Sequence, residues 1–266
     1  AKSDGIVIML AEQALKSFKP QTAKILGIFL NKVTLQLPHK DHITAEAIQR
    51  GRHIRFSIDE YMKICNLHDK KTAREQLRKA IDALYTMDLD WTELRWIKPE
   101  GKERHKQESV PYHMRVLDMA RGDPIKNNTV EIAFSYSMAE YLAQSYIMPL
   151  HLALFLINTN INPHSFQLGW ELSKHNNMNY GKTDFGKISV KTLLNAAKNI
   201  PQYEIISGKG EIYRKIIYPL DRDLHALIDV GALDSYSYLD ADGNPVDRYN
   251  LYLYSYSQFS LFTILF

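Results

Sequence analysis

Lys71, Arg74 and Arg78 stand at i, i+3 and i+7 in the stretch "HDKKTAREQLRKAIDALYTM". On a 3.6-residue repeat this spacing draws one line of cations along a helix. Lys70 and Lys79 lie beside the line, and Ala73, Leu77, Ala80, Ile81 and Leu84 fall on the opposite side. Such a line can follow a nucleic-acid groove. Lysine meets phosphate as a point charge, which suits Lys70 and Lys71. Arginine can also read guanine through two parallel hydrogen bonds, which suits Arg74 and Arg78. An ordinary solvated helix shows the same pattern, so the flanking elements must decide between the two.

Asp69 is the expected N-cap of this helix. Ahead of it, "FSIDEYMKICNL" opens with Ser57 and Glu60 at capping-box spacing and continues with Ile58, Tyr61, Met62 and Cys65, a short amphipathic helix. Short helix, tight turn and longer helix is the helix-turn-helix order. Behind it, "DLDWTELRWIKP", "VPYHMRVLDMA" and "TVEIAFS" are β-rich runs separated by the charged "EGKERHKQES" and the turn "RGDPIKNN". A helix-turn-helix backed by a hairpin is a winged helix, and Lys98 to Lys106 is the expected wing tip, which would bring Lys102 and Arg104 to DNA. Upstream, "KPQTAKILGIFLNK" is a core helix starting at Pro20, followed by a polar loop containing Pro38 and Gly51; the first 18 residues read as an ordered strand or helix.

The second half repeats this order without repeating the sequence. "YIMPLHLALFLINTNIN" and "PHSFQLGWELSKHNN" are expected helices, "ISVKTLLNAAKNI" a short helix capped by Ser189, and "PQYEIISGKG" a turn. "EIYRKIIYPLDRDLHALIDV" is a longer helix with Ile212, Ile216, Leu220, Leu224 and Leu227 on one side, which Pro219 should kink or split. "LDSYSYLDADGNPVDRYN" and "FSLFTILF" close the chain as strands. The expected fold is therefore α+β, two tandem winged-helix domains over residues 1–140 and 141–266 joined near Tyr136 to Tyr146; one large domain with an inserted sheet is the alternative. The second cation set is Lys209, Arg214 and Lys215, with Tyr213 among them to pack on a sugar, on a thymine methyl or between domains.

Other chemistries lack their residues. The formal net charge of +3 is too small for a protein coated in nucleic acid, so contact must come from local patches. A single cysteine, Cys65, excludes an internal disulfide, and no Cys/His set has zinc-finger spacing; a reducing cytoplasm is the natural setting, and neither metal nor small-molecule cofactor is expected. No apolar run approaches the roughly 20 residues that span a bilayer. The 16 tyrosines raise a nicking-and-joining enzyme, but that chemistry needs a His-x-His metal pair and none exists. His39 and His42, and His105 and His113, read as solvent or hairpin residues rather than ligands. "SGKGE" and "YGKTD" lack the first glycine of a phosphate loop. Alternating tyrosines near the end read as a half-buried sheet face, with a stacking surface for single strands as the other reading. The pairs Asp88 and Asp90, and Asp221 and Asp223, read as surface.

Over almost its whole length the chain resembles the tandem winged-helix replication initiators of plasmids and mobile elements, the iteron-binding Rep family. The likeness is carried by "KPQTAKILGIFLNK", "FSIDEYMKICNLHDKKTAREQLRKAIDAL", "MPLHLALFL" and "ISVKTLLNAAKNIPQYEII…YRKIIYPLDRDLHALI". The resemblance implies a non-enzymatic protein that binds repeats in double-stranded origin DNA, opens the adjacent AT-rich duplex and brings in the host helicase. It also implies that the first domain can serve as a homodimer interface. Lys209 to Tyr218 would then be the main sequence reader, with Lys71, Arg74 and Arg78 as the first-domain contact; Pro219 departs from the pattern and unsettles the register beyond it. A winged-helix transcriptional repressor, or a protein-interaction scaffold with merely solubilising charges, are the rival readings.

Overall fold

The computed structural model describes residues 19–97, 106–123, 128–144, 150–197, 200–201 and 209–266. The segment expected to open the chain, residues 1–18, lies outside them. Contacts divide the chain into two units, one containing 25–63 and 67–147, the other 19–24, 64–66 and 148–266. Helices and antiparallel sheets are mixed in each, an α+β fold.

Helix α1 (Pro20–Thr34), in the first unit from Ile25 on, begins at its proline and buries Ile25, Leu26, Ile28, Phe29 and Val33. Two elements depart from the sequence expectation. The expected polar loop contains helix α2 (Ala45–Gly51), capped by Thr44, whose hydroxyl accepts from the Ala47 N–H at 3.2 Å. With Ile48 as its one deeply buried apolar side chain, it has too few positions to show a period. Its last residue is Gly51, where the chain passes too close for a side chain: a Cβ there would lie 2.8 Å from the Gln36 carbonyl oxygen. Strand β1 (His53–Ser57) follows, with Ile54 and Phe56 inward. Then come α3 (Ile58–Cys65) and α4 (Lys70–Tyr85), separated by a turn in which Asn66 takes φ 49°.

Four strands complete the unit: β2 (Asp88–Ile97), β3 (Lys106–Arg115), β4 (Leu117–Arg121) and β5 (Thr129–Phe134), before helix α5 (Tyr136–Gln144). The expected wing is corrected here. Strands β2 and β3 form a sheet of their own, registered from Asp88–Arg115 to Ile97–Lys106, whereas the sheet beside the helix-turn-helix has the order β1-β5-β4. Packing explains the choice. Ile54 faces Ile132 and Phe56 faces Val130 across the β1–β5 ladder, and all four are buried, so β5 offers β1 a matching apolar face. The hairpin of this winged helix is β4–β5. The stretch expected to join two domains carries α5, whose Met138, Ala139 and Leu142 are buried.

The second unit has the same order. A 3-10 turn (Leu152–Leu156) stands where a full helix was expected; the cluster of Asn158, Asn160, Asn162 and Pro163 follows too soon for a longer one. Helix α6 (Ser165–Asn179) leads to β6 (Lys187–Ser189) and α7 (Val190–Ala196), which Ser189 caps as expected through the Thr192 N–H at 3.2 Å. The long helix comes in three parts: α8 (Lys209–Ile212), a π turn (Tyr213–Ile217) and α9 (Tyr218–Asp229). Strands β7 (Ser237–Leu239) and β8 (Pro245–Val246) flank the turn "ADGN". A 3-10 segment (Arg248–Leu253), α10 (Tyr256–Phe259) and β9 (Thr263–Leu265) end the chain.

The sheet order is β6-β9-β7-β8, with Ile188 opposite Ile264 and Ile264 opposite Tyr238. As in the first unit, the strand before the short helix pairs with the last strand, which pairs in turn with a strand from after the long helix, β4 there and β7 here. Both units are winged helices. At Gly169 on α6 a Cβ would sit 3.0 Å from a methyl of Leu227 on α9, so glycine permits the close packing of α6 on α9.

Candidate nucleic-acid interface

Helix α4 is fixed at its start and from below. Asp69 caps it, its carboxylate accepting from the N–H groups of Lys71 and Thr72 at 3.1 and 3.0 Å and from the Thr72 hydroxyl; these bonds hold the Asp69 carboxyl below its usual range. Ala73, Leu77, Ala80, Ile81 and Leu84 are buried as their spacing predicts. The Tyr61 hydroxyl donates to Gln76 Oε1 at 2.8 Å, locking α3 to α4.

The outer side then presents the cations in three different states. Lys71, Arg78 and Lys79 are exposed, with Arg78 3.8 Å from Asp82 one turn on, a contact too long and too solvated to hold the guanidinium. Lys70 is drawn back to Asp59 at 2.9 Å. Arg74, expected to read bases, is half-buried: its Nη2 donates to Asn128 Oδ1 at 2.9 Å. Asn128 lies just before β5, and its carbonyl accepts from the Ile58 N–H at 2.8 Å. One asparagine thus ties the hairpin to the start of α3 and to the side of α4. Sequence reasoning missed it, because a turn asparagine is unremarkable until its partners are known. Lys102 and Arg104 lie outside the described residues.

The corresponding helix of the second unit differs. Lys209 opens α8. Arg214 and Lys215 both turn to Glu211, at 3.4 and 2.6 Å, and their charges hold the Glu211 carboxyl below its usual range through the Lys215 hydrogen bond first. Tyr213 is exposed and its ring centre lies 6.3 Å from those of both Tyr218 and Tyr252. Pro219 stands at the expected split: the π turn gives way to α9 at Tyr218, one residue before it. Lacking an N–H, it sits in the first turn of α9, and the π turn before it absorbs the fault, with the Tyr218 N–H donating to the Tyr213 carbonyl.

The base of this helix corrects another expectation. Asp221 and Asp223 are not surface groups. Asp223 is fully buried and accepts from the His164 N–H at 2.7 Å and from Arg222 at 2.6 Å, while its carbonyl accepts from the Ser165 hydroxyl at 2.8 Å. Asp221 accepts from the hydroxyls of Tyr236 and Tyr238 at 2.7 and 3.3 Å and from Arg248 at 2.9 Å. Burial, then the neighbouring carboxylate, pushes both phenols up. Asp88, by contrast, is exposed and 3.5 Å from Arg115.

The tyrosines beyond Asp247 are not on strands either. Asp247 caps the 3-10 segment through the Tyr249 N–H, and Ser255 and Gln258 form a capping box at the start of α10. The S-x-x-Q spacing was the signal that marked a helix there. Among the described residues no group of three or more His, Cys, Asp or Glu is placed to hold a metal ion, and no helix is long and apolar enough to cross a membrane.

Comparison with known proteins gives one family. A family model described as Initiator Replication protein, WH1, matches residues 10–148, just over half the chain. No curated protein matches in sequence. Two solved structures, both of domains 2 and 3 of RctB, are similar: one at 15% identity and a TM-score of 0.46, covering 91% of this chain and 81% of that one, the other at 17% and 0.41, covering 73% and 66%.

Proposed function

The chain belongs to the Initiator Replication protein family, and from that premise we propose that it binds repeats in double-stranded origin DNA and opens the duplex beside them without catalysing a reaction. The observation that supports this most is the doubling of one arrangement. In each unit a strand, a short helix, a long helix and a returning hairpin leave the outer side of the long helix in solvent, with cations on it. The two winged helices, in the division 1–140 and 141–266, would enter neighbouring major grooves. Lys71, Arg78 and Lys79 supply phosphate contacts from α4, with Lys70 at its start; Arg74 orients the helix; Lys209, Tyr213, Arg214 and Lys215 form the second contact. Lys102 and Arg104, which fall between β2 and β3 in the sequence, add further phosphate contacts in this reading. The protein works in the cytoplasm, homodimerises through the first unit when not on repeats, and hands the opened origin to the host helicase.

Fluorescence anisotropy with fragments of the replicon that encodes the gene, against random duplex and across a salt series, tests the reading. A fragment rich in direct repeats should bind about a thousandfold more tightly than random duplex, with affinity falling steeply as salt rises because phosphate contacts release counterions. Equal, weak binding of every fragment at low salt would overturn it in favour of a protein-interaction scaffold.

A further inference from the structure

The π turn does more than accommodate Pro219. In an uninterrupted α-helix residues five apart point about 140° from each other, so Tyr213 and Tyr218 would lie on different faces. The wider turn brings positions five apart into line. Ile212 and Ile217 are both buried, and Tyr213 and Tyr218 are both on the outer side, 39% and 49% exposed. The 3-10 segment then lays Tyr252, 59% exposed, edge-on to Tyr213 at 88°. Three rings, two on the helix that follows the helix-turn-helix turn and one on the 3-10 segment, form one surface, with the Arg214 side chain 73% exposed beside them.

Phosphate does not call for rings, and tyrosine rings lack the two parallel donors that read guanine. The apolar group that a major groove offers to a reading helix is the 5-methyl of thymine. We infer that Tyr213, Tyr218 and Tyr252 form a subsite that packs on thymine 5-methyl groups, so that the second winged helix favours thymine-bearing steps while Arg214 holds the adjacent phosphate. This rests on the proposed duplex-binding function and specifies what the second helix reads.

The test changes the DNA by methyl groups alone. The tightest-binding replicon fragment is amplified with dTTP or with dUTP, giving duplexes of identical sequence and charge, and anisotropy is measured on both. Wild-type protein should bind the uracil duplex three- to tenfold more weakly, about fourfold for each methyl no longer buried, with the same salt slope. Tyr213→Ala/Tyr218→Ala should bind the thymine duplex as weakly as wild type binds the uracil one and should not distinguish the two. Tyr213→Phe/Tyr218→Phe keeps the rings and should still distinguish them, which guards against a fold defect in the alanine variant. Equal wild-type affinity for both duplexes, with preference over random DNA intact, overturns the subsite and leaves the DNA-binding reading standing; the rings would then suit a protein partner. Discrimination that persists undiminished in the alanine variant also overturns it. Failure of any thymine fragment to beat random duplex overturns the underlying reading itself.

Discussion

The two long helices share one topology and present different chemistry. Helix α4 is a single regular run whose Lys71, Arg78 and Lys79 stand in solvent, backed by an unbroken apolar stripe. On the helix of the second unit one carboxylate, Glu211, is shared by Arg214 and Lys215, which lowers the net charge there, and exposed tyrosine rings stand beside them. Electrostatic attraction acts over a Debye length, whereas apolar contact acts only on touching. On the proposed function the first helix serves capture and the second discrimination, and the contrast can be broken at several points.

The largest effect should come from charge. Lys71→Glu/Arg78→Glu/Lys79→Glu is expected to weaken duplex binding by about a hundredfold or more and to flatten the salt dependence by about 0.9 for each phosphate no longer neutralised. Arg214→Glu should cost about tenfold or less, since Glu211 already offsets that charge. Anisotropy salt series on both variants check this, and equal losses would erase the distinction between the helices.

Next in size is the anchoring of the second helix. Asp223→Ala strips the buried acceptor from the His164 N–H and from Arg222, and should lower unfolding free energy by about 2–3 kcal/mol in urea titrations. Asp82→Ala on the exposed side of α4 should change it by less than about 0.5 kcal/mol. Similar values for the two would show that the buried carboxylate does not hold α9 in place.

Asn128→Ala probes the first helix at Arg74, the cation tied to the hairpin. Removing the Arg74–Asn128 bond should weaken specific binding three- to tenfold, the equivalent of about one hydrogen bond. The salt slope should stay unchanged because no phosphate contact is removed. A fall in the slope would mean that Arg74 itself touches phosphate.

The smallest effect is on pH. Burial, only partly offset by Asp223, pushes the His164 imidazole below its usual 6.5. Between the lowered folded value and 6.5 the unfolded chain binds more protons, so stability falls as pH drops below about 7 and recovers as it rises. Urea midpoints at pH 7.5 and 5.5 should show this slope, and His164→Asn should flatten it.

How much of this was legible in the sequence follows from the range of each signal. Helix α4, its Asp69 cap and its five buried positions were readable because capping and 3.6-residue periodicity are local. The capping box at Ser255 and Gln258 is equally local, but the alternating tyrosines around it carry a competing strand signal. Helix α2, with Ile48 as its lone deeply buried apolar residue, carries no period to read. The choice of β4–β5 over β2–β3 as the partner of β1 was not legible, since both hairpins are β-rich and only the match of Val130 and Ile132 to Phe56 and Ile54 separates them.

The sequence by itself determined the α+β class, the helix-turn-helix order in both halves and the line of cations on α4, because each depends on residues within a few turns of one another. Tertiary structure alone decided which charges remain available. Arg74 faces the same way on a helical wheel as Arg78, yet Asn128, 54 positions away, holds one and not the other. Asp223 looks like a surface acid until His164 and Ser165 close over it. Tyr213, Tyr218 and Tyr252 become one surface only when a proline widens a turn and a distant 3-10 segment folds back. A side chain's chemistry is set by its neighbours in space, and long-range neighbours are what a linear pattern does not contain.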